Sequence, residues 1–170
     1  RTAKFSSGLN VLDFFKRTPD LKKLILNQDA IFVGGGNTKS MLAVWKDWGL
    51  DKILRTAYRN GVVMSGVSAG AICWFQQGVT DSWSSDLKIM SCLNFVKGTC
   101  CPHYDEEPER KPAVKKFLMS GKIKDVYAVD GGVALHIKDE KEFKSVVFRK
   151  HKGSYRTCLL YTSDAADDRD

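Results

Sequence analysis

The chain has 170 residues, 43% of them hydrophobic and 28% charged, with a formal net charge of +7. This is the balance of one globular domain with a sizeable core. No apolar run approaches the roughly 20 residues that span a bilayer. The lysines stand among acids ("LKKL", "VKKF", "KDEKEFK") as on a solvated face, so neither membrane nor nucleic acid is an expected partner.

The start, "RTAKFSSGLNVLDFF", has no initiator Met and no secretory-signal pattern, so we expect the true N-terminus to be missing. "VLDFFKRTPDLKKLILNQ" has helical apolar spacing broken at Pro19, with Asp20 placed to cap a short helix over Leu21–Leu26. "DAIFVGGGNT" reads as a buried strand, Ala30–Val33, running into a glycine turn. "TKSMLAVWKDWG" and "LDKILRTAYRNG" have helical spacing and stop at Gly49 and Gly61. "VVMSG" is the next strand, and "SAGAICWF" starts the next helix.

Strand, glycine turn and helix, given twice, is the rhythm of a parallel α/β sheet. After Gly78 the pattern loosens into loop and short strands. "ERKPAVKKFLMSGK" predicts a short helix with a basic face, and "DVYAVDGGVALHIKD" and "FKSVVFRKHKGSYRT" predict strands joined by turns.

The last stretch, "CLLYTSDAADDRD", breaks from this composition. It resembles the translation of a sequencing adapter derived from a transposon end, and we expect residues 158–170 to be a non-native tail on a domain of residues 1–157. The tail carries one Arg against four Asp, so removing its net −3 raises the charge from +7 to +10. Four cysteines remain, Cys73, Cys92, Cys100 and Cys101. None forms a CxxC pair or has a His at zinc-finger spacing, so free thiols in a reducing cytoplasm and no metal are expected.

The chemistry centres on "VVMSGVSAGAICWF". A strand, Gly-x-Ser-x-Gly and a helix together place a serine hydroxyl at the sheet's C-terminal edge, above a helix start. Ser68 is the candidate nucleophile, and the N–H of Ala69 is a candidate oxyanion donor. The competing reading is a Gly-rich crossover where Ser68 only caps a helix. A second turn, "FVGGGNT", would open onto the same crevice. There Gly35 and Gly36 could complete the oxyanion hole and Asn37 could bind substrate. A phosphate loop is the rival, but GxxxxGK[ST] spacing is absent.

Three histidines compete for the base. His136 lies in the alternating strand "VALHI" and reads as half-buried; His151 in "FRKHKGS" reads as exposed. His103, in "TCCPHYDEE", sits in a loop, where functional side chains concentrate. The third member is open. Asp130 in "AVDGG" ends a predicted strand, while Asp81, Asp86, Asp105, Glu106 and Glu107 compete, the last three reading most simply as an exposed acidic loop.

Together "AIFVGGGNT", "GVSAGAICW", "CPHYDEE" and "AVDGGVALHI", in this order, resemble the peptidase E family. This is the serine-peptidase branch of the class I glutamine amidotransferase-like superfamily, related to cyanophycinases and α-aspartyl dipeptidases. The resemblance implies a three-layer α/β sandwich with a mostly parallel sheet. It further implies a triad of Ser68, His103 and an acid, Asp130 by preference, with Asp81 or Asp86 where some relatives place it. The oxyanion hole would be Gly35, Gly36 and Ala69. The substrate implied is a small peptide, including dipeptides with an N-terminal Asp, for which Arg110 or Lys111 would supply the cation.

No cofactor is implied, and a monomer or homodimer is expected. The family domain begins with a strand and a further βα unit, so this chain is expected to be partial and its activity impaired. The alternatives from other classes are a non-catalytic ligand-binding member of the superfamily and a basic nucleic-acid binder.

Overall fold

The computed structural model describes residues 20–140 and 142–158. The apolar pattern before Pro19 and the adapter-like residues 159–170 lie outside them. Helix α1 (Leu21–Leu26) starts where Asp20 accepts a hydrogen bond from Lys23 N. Strand β1 (Ala30–Val33) follows, then α2 (Thr38–Asp47) and α3 (Leu50–Arg59). Next come β2 (Val63–Gly66), α4 (Ala69–Ile72), β3 (Phe75–Thr80), β4 (Lys88–Ser91) and β5 (Val96–Cys101). The chain continues through α5 (Arg110–Met119), β6 (Asp125–Val129), β7 (Val133–Lys138), β8 (Glu142–Val147) and β9 (Ser154–Cys158).

The expected rhythm holds through β2, and β1 pairs with it in parallel. It departs at α4, which ends after one turn although "AGAICWF" carries no charged or strongly polar residue. The carbonyls that would continue the helix are taken elsewhere. Cys73 O accepts from Leu93 N at 2.9 Å, and Trp74 O accepts from Phe95 N at 2.8 Å and Val96 N at 3.0 Å. Trp74 packs on Phe95 with ring centroids 5.4 Å apart, so a tertiary contact overrides local helix propensity.

The architecture is a three-layer α/β fold with a mixed sheet. Its main ladder runs β4-β3-β5-β6-β9; β3, β5 and β6 are parallel, and β4 and β9 close the edges antiparallel. Cys158, first residue of the adapter-like stretch, ends β9 opposite Asp125. Strands β1 and β2 form a separate two-stranded ladder, and β7 and β8 form a hairpin. No helix among the described residues is long and apolar enough to cross a membrane.

Strand alternation divides the core. Val79, Cys101 and Val126 face α5, packing with Val114, Phe117 and Leu118. Their neighbours Cys100 and Tyr127 face the other way, toward Ile72, Phe75 and Val96, with Leu135 and Ile137 of the hairpin against them. A third cluster gathers Leu42, Leu50 and Leu54 of α2 and α3 with Trp74 and Phe95. The adjacent thiols Cys100 and Cys101 thus sit in two different cores, both buried.

Candidate active site

The C-terminal ends of β1, β2, β5 and β6 carry, in turn, the Gly34–Gly36 turn, Ser68, His103 and Asp130, as ligand sites of parallel sheets do. Ser68 has φ 54° and ψ −117°, a strained conformation for a residue with a side chain. Its neighbours enforce it. A Cβ on Gly66 would overlap Gly70 O, and one on Gly70 would overlap Val33 O, so the turn closes onto β1 only with glycine at both positions. Although Ser68 stands at the start of α4, its side chain makes no capping hydrogen bond. The capping reading therefore does not describe it.

The glycine turn faces this serine. The Cβ position of Gly35 lies 3.4 Å from Ser68 Cβ. The N–H groups of Gly35, Gly36 and Ala69 donate to no protein acceptor among the described residues.

Ser68 and His103 line one cavity of about 950 Å³, together with Glu106 and Asp130. Its walls are otherwise mainly apolar, including Trp74, Phe75, Val96, Val129, Leu135 and Ile137. His103 also has positive φ, 53°, just after Pro102 at the end of β5. Its Nδ1 lies 3.0 Å from Glu106 Oε2, within a single turn of chain. A carboxylate accepts, so Nδ1 carries the proton of this bond and Nε2 is the ring nitrogen left outside it. Arg149 stands 3.6 Å from the other oxygen, Oε1. Gly131 lies directly against this carboxylate, and a Cβ there would meet the Glu106 side chain.

The hydrogen bond to His103 expected from Asp130 is thus made by Glu106. Asp130 is 8% exposed, and its Oδ2 accepts from Gly153 N at 3.1 Å. Asp105 of the same acidic loop accepts from Gly131 N at 2.7 Å and pairs with Lys152. The Lys152 bond and then the Gly131 N–H hold its carboxyl below the ordinary range. The acidic loop is therefore a set of ties between the His103 loop and the β6 end. The signal that could have found Glu106 was its spacing, three residues after His103 within one turn.

The remaining candidates stand apart from His103. Asp81 and Asp86 are exposed, Asp86 beside Lys88 at 3.7 Å, and neither lines the cavity. Asn37 caps α2, accepting from Ser40 N at 2.9 Å and donating to Ser82 O at 2.6 Å, which occupies both ends of its amide. Arg110, 4% exposed, donates to Glu107 at 2.6 Å and to Val79 O at 3.2 Å. It braces the loop from behind rather than lining the cavity. Lys111 lies over the Tyr104 ring. His136 is exposed rather than half-buried and lines the cavity, while His151 is exposed as expected.

A model of the family described as "Peptidase family S51" matches residues 4–144. The chain belongs to peptidase family S51. Among its S51 relatives is the uncharacterised peptidase YgaJ of Bacillus subtilis, 47% identical over 154 residues, covering 87% of this chain and 64% of YgaJ. Peptidase E of Haemophilus influenzae is 29% identical over 146 residues, covering 78% of this chain and 64% of that protein. A crystal structure of a candidate peptidase E protein from Listeria monocytogenes EGD-e superposes with a TM-score of 0.60 at 24% identity, covering 76% of this chain and 65% of that one. The S51 chain thus spans less than two thirds of the length of these relatives, and its motifs and its fold agree with the peptidase E resemblance.

Proposed function

We propose that the protein is a serine-type peptidase that hydrolyses small peptides through Ser68, His103 and Glu106. The observation that carries this is the serine itself. Its backbone is strained, its hydroxyl caps nothing, and it shares a cavity with a histidine already held by a carboxylate. His103 Nε2 takes the Ser68 proton as Oγ attacks the scissile carbonyl, and returns it to the leaving amine. Glu106 keeps the imidazole in the required tautomer and stabilises its cation. The N–H groups of Gly35, Gly36 and Ala69 receive the oxyanion, and losing one such donor typically costs about 10²–10³ in rate. Water then hydrolyses the acyl-enzyme by the same base.

The test uses the full-length protein with a fluorophosphonate and a panel of Asp-X, Glu-X and neutral dipeptides. Labelling at Ser68, protected by a cleaved dipeptide, and loss of turnover in Ser68→Ala are the expected results. An unlabelled Ser68 with no turnover of any dipeptide would favour a ligand-binding member without catalysis. Equal rates across the panel would remove any preference for acidic residues.

A further inference from the structure

The glycine turn that faces Ser68 has little packing to hold it. Among the described residues, a Cβ on Gly34 or Gly36 would meet no atom within 4 Å, so the turn is fixed by its two ends. One end is β1, paired with β2. The other is the start of α2, and its ties come from a residue 45 positions beyond Asn37. Ser82, just past β3, accepts at Oγ from Thr38 N at 3.1 Å and at its carbonyl from Asn37 Nδ2 at 2.6 Å. The N–H of a first helical residue has no partner within its own helix. Thr38 is that residue and is 1% exposed, so Ser82 supplies what water cannot. The Ser82 hydroxyl is itself held, since Thr80 Oγ1 lies 2.7 Å from it and accepts from Ser82 N at 3.2 Å. Lys39 over the Trp83 ring, 5.3 Å from its centroid, is a second contact between the same two segments.

The same short stretch is bonded to the histidine loop. Val79 O, next to Thr80 at the end of β3, accepts from Arg110 Nη1 at 3.2 Å. Arg110 Nε donates to Glu107 at 2.6 Å, and Glu107 N donates to His103 O at 3.2 Å. We infer that Ser82 is a positioning residue, whose hydroxyl and carbonyl set the Gly35 and Gly36 N–H groups against Ser68. This rests on the peptidase reading above, in which those groups receive the oxyanion. Ser82 does not line the cavity, so it acts only through where the donors stand. Without its hydroxyl the Thr38 N–H is buried with no acceptor, which is costly. The start of α2 then shifts to find one and takes Gly36 with it. A misplacement of about 1 Å at a reacting centre can cost about 10²-fold in rate.

Ser82→Ala and Ser82→Thr in the full-length enzyme test this, by steady-state kinetics on a dipeptide it cleaves and by the rate of fluorophosphonate labelling at Ser68. In Ser82→Ala kcat should fall about 10- to 100-fold with little change in KM, because the donors meet the tetrahedral state rather than the bound peptide. Labelling, in which a phosphoryl oxygen takes the oxyanion's place, should slow by a similar factor. Ser82→Thr keeps the hydroxyl and should restore both. Thr80→Val removes only the group that orients the Ser82 hydroxyl. It should give the same split at smaller amplitude, and it carries the test should Ser82→Ala misfold. A Ser82→Ala enzyme that loses stability to denaturant yet keeps its kcat and labelling rate would overturn the inference. So would a rise in KM alone, or a Ser82→Thr enzyme as slow as Ser82→Ala. Absent turnover by the unmodified enzyme would sink the peptidase reading and this inference with it. Normal turnover by both the unmodified enzyme and Ser82→Ala would sink the positioning role alone.

Discussion

Glu106 and Asp130 share a wall, but His103 is bonded to Glu106, so substitution there tests the proposed triad. Glu106→Gln leaves the His103 ring without its anionic partner, and kcat should fall roughly 10²- to 10⁴-fold with little change in KM, read by steady-state kinetics. Asp105 adds a pH dependence. Because Lys152 and Gly131 N–H depress its carboxyl in the folded state, the tie is present above the ordinary carboxylate range. It is lost as pH falls through the lowered value, so Asp105→Asn should flatten the acid side of a stability titration below about pH 4. At this scale Ser68 and His103 were legible because each sits in a local pattern, a Gly-x-Ser-x-Gly turn and a Pro-His loop. Glu106 was obscured by its exposure, since an acid in an acidic loop looks solvated until the imidazole is seen beside it.

The elements up to β2 could be read from their periodicity and caps, and α1 and β1 have the predicted bounds, although β1 is exposed and half-buried in alternation rather than buried. What local pattern could not show was α4 yielding to β3, because the carbonyls that stop the helix are claimed by residues about 20 positions onward. Nor could it show that Asn37 is consumed by Ser82. The Gly66–Gly70 crossing makes a sharp prediction. Gly70→Ala must push the turn off the Val33 carbonyl and should cost about 1–3 kcal/mol or more in a denaturation experiment, with fluorophosphonate labelling lost in step. Strand β5 makes another. Burial raises the Cys101 thiol to about 11 and pushes Cys100 well up. Neither should be alkylated by iodoacetamide at pH 8 until denaturant is added, as mass spectrometry would report.

Across the whole molecule, the fold class was legible but the division of its sheet was not, since strand rhythm does not say which ladders join. The face shared by β1 and β2 carries Phe32 and Val63, 67% and 60% exposed. Apolar surface of this kind on a short ladder invites association. Phe32→Lys should reduce concentration-dependent light scattering while leaving Ser68 labelling in place. The same division has a kinetic meaning. Ser68, the proposed nucleophile, rides on the small ladder and His103, its proposed base, on the large one, so on that proposal competence depends on alignment between two blocks rather than on the integrity of either. Mild denaturant should then extinguish turnover at concentrations where the far-ultraviolet circular dichroism is still native: the machine would go out of tune before it came apart.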